Sequence, residues 1–212
     1  NQIKIPFSKN MDLRIEDFIK KAKSVDMIYL DSPNNPTGFQ FSNKDLEKLI
    51  KSFSGPVIID EAYGEFSNSS VLRLVKKYPN LILVKTLSKA FGLAGLRAGY
   101  MIADKKFTEI FSNVIQYPYP LNTLAIECGI LALEKSKQIT SIFENIKKQR
   151  TRVVQNLKKY DAFDVFDSNA NFVLFDAKGA DTRVYNALIE QGISIRKLGK
   201  LASHKGCLRV TI

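Results

Sequence analysis

Apolar residues recur along this chain in two periods. Ile15, Phe18 and Ile19 stand at helical spacing within residues 15–23, and the strand-like run Met27-Ile28-Tyr29-Leu30 follows. Ser42-Asn43-Lys44-Asp45 has the composition of a capped helix start, which predicts a helix to about Ser52. Val57-Ile58-Ile59 and Leu81-Ile82-Leu83-Val84 are uninterrupted apolar runs ending on Asp60-Glu61 and Lys85-Thr86. Runs of this kind predict strands of a parallel sheet buried on both faces. Residues 121–160 are mainly helical in period, with a break near 135–138. Further strands are predicted at 163–166, 172–175, 193–195 and 208–212, with a helix near 183–190.

Strands alternating with helices predict an α/β fold with a mainly parallel sheet. The change of texture after Pro118 and Pro120 divides the chain into a larger unit, residues 1–122, and a smaller α/β unit, residues 123–212. The hinge is expected near residues 119–123. In such folds ligands gather at the carboxyl ends of strands. The polar residues that close each apolar run are therefore the candidates for chemistry.

Composition narrows the function classes. Hydrophobic residues at 45% and charged residues at 25% of 212 exclude a disordered chain or a rod. No apolar run reaches the length of a membrane span, and the first ten residues lack the order of a signal peptide. The expectation is a cytoplasmic protein without a membrane partner. Cys128 and Cys207 form no ligand spacing and His204 is the one histidine, so no metal site is expected. His204, within Ser203-His204-Lys205-Gly206, is read as an exposed loop residue, and Cys128 as a core residue. The net charge of +11 is spread in pairs such as Lys76-Lys77 and Lys158-Lys159. That dispersion fits a solvated surface better than a nucleic-acid face and is compatible with an anionic small molecule.

Three clusters carry candidate chemistry. The turn-forming stretch Asn34-Asn35-Pro36-Thr37-Gly38 follows the first predicted strand. Asp60 ends the second, with Tyr63 three positions on. Thr86-Leu87-Ser88-Lys89-Ala90-Phe91-Gly92-Leu93-Ala94-Gly95-Leu96-Arg97 follows the third. Hydroxyls, glycine N–H groups and an arginine suit a phosphate monoester. A lysine among them is a potential amine nucleophile, and a carboxylate beneath an aromatic nitrogen base would keep that nitrogen protonated. Taken alone, each cluster also reads as an ordinary strand-end turn with surface polar residues.

In order and spacing the set resembles the fold type I pyridoxal-phosphate aminotransferases. The stretch from Thr86 to Arg97 is most similar to the histidinol-phosphate aminotransferase family within that group. Tyr117-Pro118-Tyr119-Pro120-Leu121-Asn122, Asn169-Ala170-Asn171-Phe172 and Gly206-Cys207-Leu208-Arg209-Val210-Thr211 share the resemblance. It implies a large domain with a mainly parallel sheet plus a smaller C-terminal α/β domain, and pyridoxal 5′-phosphate as cofactor. Lys89 would form the Schiff base and shuttle the proton. Asp60 would pair with the pyridine nitrogen, and Asn35 and Tyr63 would hydrogen-bond the ring 3-oxygen. Thr86, Ser88 and Arg97 would hold the cofactor phosphate. Arg209 would bind the acidic group of the amino acid and Arg196 the phosphate of the substrate. The implied reaction converts histidinol phosphate and 2-oxoglutarate to imidazole acetol phosphate and glutamate, in a homodimer.

The family's N-terminal arm, its glycine-containing phosphate loop and the aromatic residue stacking on the cofactor ring find no counterpart before residue 23. The N-terminal part of the large domain is therefore expected to be missing, and with it the activity of this segment alone. Threonine-phosphate decarboxylases and aromatic amino-acid aminotransferases of the same fold are the rival enzymes. A basic nucleic-acid-binding module and a segment serving only folding or interaction are the rivals from other classes.

Overall fold

The structure, a computed structural model, describes residues 2–212. Two four-stranded sheets organise it. The first is built from β1 (Ile28–Asp31), β2 (Val57–Asp60), β3 (Leu81–Thr86) and β4 (Gly99–Ile102), in that spatial order. β1, β2 and β3 are parallel, and β4 returns antiparallel to β3. Side chains alternate across a strand, so Ile28, Leu30, Val57, Ile59, Leu81 and Leu83 share one face. That face is closed by α1 (Ile15–Ala22), α2 (Asn43–Ser52) and α3 (Leu72–Val75), which contribute Ile15, Leu46, Leu49, Ile50 and Val75 to one core. α2 starts where its sequence predicts: the Ser42 hydroxyl accepts from the Asp45 N–H at 3.1 Å.

Burial on both faces holds only in the first half of β3, where Leu81, Ile82 and Leu83 are all buried. Tyr29 is 55% exposed, and Ile58, Val84 and Met101 are only half-buried, lining an open apolar hollow with Phe107 and Phe111. The reason is topological. α1, α2 and α3 all cross the same face, while α4 (Lys105–Ile110) and the π-helical turn Phe111–Ile115 only border the other.

The second sheet contains β5 (Asp164–Val165), β6 (Phe172–Asp176), β8 (His204–Thr211) and β7 (Arg196–Leu201), in that spatial order, all antiparallel. Before it come α5 (Thr123–Glu134) and α6 (Thr140–Leu157), with a short 3₁₀ turn at Ser136–Ile139 where the break is predicted. α7 (Asp181–Glu190) and the end of α6 cover one face through Val184, Leu188 and Leu157. Phe7 and Met11 cover the other face at Leu174 and Cys207.

The strand predicted at 193–195 lies instead at Arg196–Leu201. Gly192 ends α7 in the left-handed region (φ +76°), with Gly192 N–H bonded to the Ile189 carbonyl and Ile193 N–H to the Leu188 carbonyl. This helix-closing motif consumes the apolar run that reads as a strand.

Candidate active site

The site forms where the two sheets meet, from the polar residues that end β1, β2 and β3. After β1, the Asp31 carboxylate accepts from the Asn34 side-chain amide at 2.7 Å and from the Asn35 N–H at 2.9 Å. The Thr37 hydroxyl donates to the Asn34 side-chain oxygen at 2.8 Å, and the Gly38 N–H to the Asn34 carbonyl at 2.7 Å. These bonds fix the turn and leave the Asn35 side chain to a partner from the second sheet, Arg209, whose Nη1 donates to Asn35 Oδ1 at 2.5 Å. Gly38 has φ +75°, and a Cβ there would lie 2.2 Å from Ser168 Oγ. Glycine is required twice over at this position, for conformation and for space.

β2 ends on Asp60. Its Oδ1 accepts from the Ala62 N–H at 2.8 Å and its Oδ2 from the Tyr29 hydroxyl at 2.7 Å. The neighbouring Glu61 turns the opposite way into the interior, accepting from Ser70 Oγ and Val71 N–H at 2.7 Å each. Its carboxylate and that of Glu65 flank the Lys85 ammonium at 3.3 and 2.9 Å. Burial works against the charge on Lys85, but the two carboxylates outweigh it and hold the ammonium above its ordinary pKa. The strand end bearing Asp60 is thus joined to β3, which leads to Lys89.

Tyr63 is buried, with its ring edge-on to Phe172 at 5.0 Å between centroids. Lys89 Nζ stands 5.5 Å from the Tyr63 ring centroid. Among the described residues Lys89 has no acidic partner. The Arg209 guanidinium lies over the opposite neighbour, Phe172, at 4.7 Å. Lys89, Tyr63, Phe172, Arg209 and Asn35 therefore form one continuous line of contacts. The Arg209 Nε is buried without a hydrogen-bond partner. Arg196 stands directly opposite Arg209 across β7 and β8, on the same face.

Thr86, Ser88 and Arg97 occupy the turn between β3 and β4. The Thr86 hydroxyl accepts from the Ser88 N–H at 3.1 Å and donates to the Ala98 carbonyl at 3.4 Å. Arg97 adopts φ +54°, and its exposed guanidinium donates to the Ala94 carbonyl of its own turn at 3.0 Å. It makes no hydrogen bond to Thr86 or Ser88.

Sequence reasoning missed Tyr29 and Phe172 as members of this site. Tyr29 carries a hydroxyl within an apolar strand two positions before Asp31, and that was the available signal. His204 is also corrected: it is buried, not exposed. Its Nδ1 lies 2.9 Å from Asp176 Oδ2 and its Nε2 2.7 Å from the Lys9 carbonyl oxygen. The β8 strand starts at His204, so the residue enters the sheet rather than the loop. Asp164, Asp176 and His204 bring ligand-type atoms within 4.8 Å of one another. Those atoms already have partners, since Lys178 lies 3.1 Å from Asp164 and the Lys178 and Gly206 N–H groups bond Asp176. Cys128 is half-buried, not a core residue, because most of α5 faces outward.

The model of class I and II aminotransferases matches residues 2–212. The chain belongs to this family. It is 34% identical over 213 residues to the histidinol-phosphate aminotransferase of Thermoanaerobacter pseudethanolicus, covering 100% of this chain and 60% of that relative. The solved histidinol-phosphate aminotransferase of Clostridium acetobutylicum has a TM-score of 0.89 at 28% identity, covering 98% of this chain and 65% of that one. The L-threonine-O-3-phosphate decarboxylase of Porphyromonas gingivalis has a TM-score of 0.78 at 25% identity, covering 89% and 59%. The chain thus spans about 60% of the length of the curated relatives it matches. As an aminotransferase-family chain it carries the sheet, the three strand-end turns and the Arg209 strand in one piece. No helix among the described residues is long and apolar enough to cross a membrane.

Proposed function

We propose that the protein to which this chain belongs is a pyridoxal-phosphate-dependent aminotransferase. Its substrates would be histidinol phosphate and 2-oxoglutarate, and its products imidazole acetol phosphate and glutamate. The observation that carries the substrate choice is the juxtaposition of Arg196 and Arg209. Two like charges directly opposite in a sheet repel, and among the described residues neither forms an ion pair. An anion between them relieves that repulsion, and guanidinium forks match a phosphate or carboxylate. The buried, unpartnered Arg209 Nε is a donor awaiting such a group.

The residues fit the cofactor by donor chemistry. Thr86, Ser88 and Arg97 supply hydroxyls and a positive charge for its phosphate. Asp60 supplies an anion for the ring nitrogen, and Asn35 and Tyr63 supply hydrogen-bonding groups for the ring 3-oxygen. When bound, pyridoxal phosphate provides the aldehyde that takes up the amino group and a ring that accommodates the electron pair left by the departing α-proton. Lys89 Nζ, with no carboxylate beside it, would hold the aldehyde and carry the α-proton. We assign residues 1–122 to the cofactor-binding unit, residues 123–212 to the smaller unit and the whole protein to a homodimer.

Incubation with pyridoxal phosphate, borohydride reduction and peptide mapping tests the reading. One adduct on Lys89, lost in Lys89→Ala, is expected; adducts scattered over other lysines would sink it. Arg196→Ala should weaken histidinol phosphate binding at least tenfold more than glutamate binding, on the order of one charge-assisted contact. The likeness to the P. gingivalis decarboxylase supports a second reading, decarboxylation of a phosphorylated amino acid. Carbon dioxide release without nitrogen transfer to 2-oxoglutarate would select it.

A further inference from the structure

We propose that Tyr29 is a positioning residue for Asp60, setting the carboxylate that receives the cofactor's ring nitrogen. The inference rests on the aminotransferase reading above. Asp60 has a like-charged neighbour to manage. In the parallel register of β1 and β2, Asp31 lies directly opposite Asp60, with both side chains on the same face. Two carboxylates so placed repel, and the structure separates them by separate donors. Asp31 is turned into the loop by Asn34 and Asn35. Asp60 is held by the Ala62 N–H on one oxygen and the Tyr29 hydroxyl on the other.

Tyr29 reaches its partner diagonally. Its own register partner is Ile58, and Asp60 lies one pleat further along the strand on the same face. Only a long side chain spans that diagonal, and of the aromatic pair Phe and Tyr only Tyr ends in a donor there. A phenol is protonated, and so a donor, at neutral pH, and partial desolvation together with the Asp60 hydrogen bond raises the Tyr29 pKa further. A carboxylate has about four acceptor sites. With one donor on each oxygen, the Asp60 side chain is fixed in orientation and still has capacity for a ring N–H.

The test compares pyridoxal phosphate with its deaza analogue, in which CH replaces the ring nitrogen. The whole wild-type protein should bind pyridoxal phosphate more tightly than the analogue. Tyr29→Phe should reduce that preference about tenfold, the worth of a hydrogen bond to a charged group, while affinity for the analogue and the Lys89 borohydride adduct persist. Equal weakening of both ligands would make Tyr29 a general structural residue and overturn the proposal, as would an unchanged preference. No Lys89 adduct on the whole wild-type protein would overturn the aminotransferase reading and the proposal with it, whereas an adduct with an unchanged or evenly weakened preference would overturn the proposal alone. Should Tyr29→Phe fail to fold, Asp60→Asn with carbon-13-labelled tyrosine supplies the decision. The Tyr29 ring signal should then titrate at lower pH than in the wild type. No change would show that Tyr29 and Asp60 are not coupled.

Discussion

Gly38 shows how much a single position carries. It combines a left-handed backbone with a neighbour, Ser168, that leaves no room for a methyl group, and its carbonyl accepts from the Asn169 N–H at 2.8 Å. Gly38→Ala should lower stability by about 1–3 kcal/mol, the usual cost of such strain, measured by urea unfolding; no change would mean the turn can relax away from Ser168. Asp176 carries a pH dependence. Burial alone would raise its carboxyl, but the Lys178 N–H, the His204 ring and the Gly206 N–H outweigh it and hold it below the ordinary range. A carboxyl lowered on folding adds stability that is fully present above its unfolded pKa of about 3.9 and lost as pH falls through the folded value. Asp176→Asn should therefore flatten the acid limb of the stability curve below about pH 4, while leaving the limb above pH 7 parallel to the wild type. That Asn35, Asp60, Tyr63 and Lys89 lie at or just beyond the ends of β1, β2 and β3 was legible from sequence, because the turns that carry them close apolar runs. The roles of Tyr29 and His204 were not, since each depends on a partner at least 28 positions away.

At the scale of elements, the helices follow local signals. Ser42 caps α2 as its position predicts, and Ser42→Ala should cost ~1 kcal/mol, read as a lowered melting temperature with unchanged near-ultraviolet circular dichroism. The 3₁₀ break between α5 and α6 likewise falls where the period fails. Strand boundaries were less legible. β7 begins three residues beyond its expected start because Gly192 completes the α7 cap with Ile193, a pairing that periodicity does not register. The double burial expected of the whole first sheet is confined to β3 for a related reason. A continuous apolar run states that both faces prefer cover, not which element in the chain supplies it.

The two sheets are joined by Arg150 of α6, buried and without an acidic partner, which donates to the Phe66 carbonyl at 2.9 Å and to the Ala170 carbonyl at 2.7 Å. Burial lowers its pKa, yet an arginine stays charged in proteins, so those carbonyls carry its compensation. Arg150→Met should reduce stability by about 1–3 kcal/mol per carbonyl left unpaired. Its helix content should stay the same, and equal stability would show that water replaces the guanidinium. The same junction brings Tyr63 to Phe172 and Asn35 to Arg209, so loosening it should also weaken ligand binding at the site.

Local order is what the sequence by itself determined: helices where apolar residues recur every third or fourth position, strands where they run together, and turns where glycine, proline and asparagine crowd. The polar residues that close those strands were determined with them, because a strand end must present whatever side chain comes next. Which of those residues meet was decided only by the tertiary structure. Arg196 and Arg209 become neighbours through antiparallel pairing of β7 with β8, and Asp60 acquires Tyr29 through parallel pairing of β1 with β2. Hydrogen bonds and charge pairs act over a few ångströms, and only chain folding brings residues far apart in sequence to that distance.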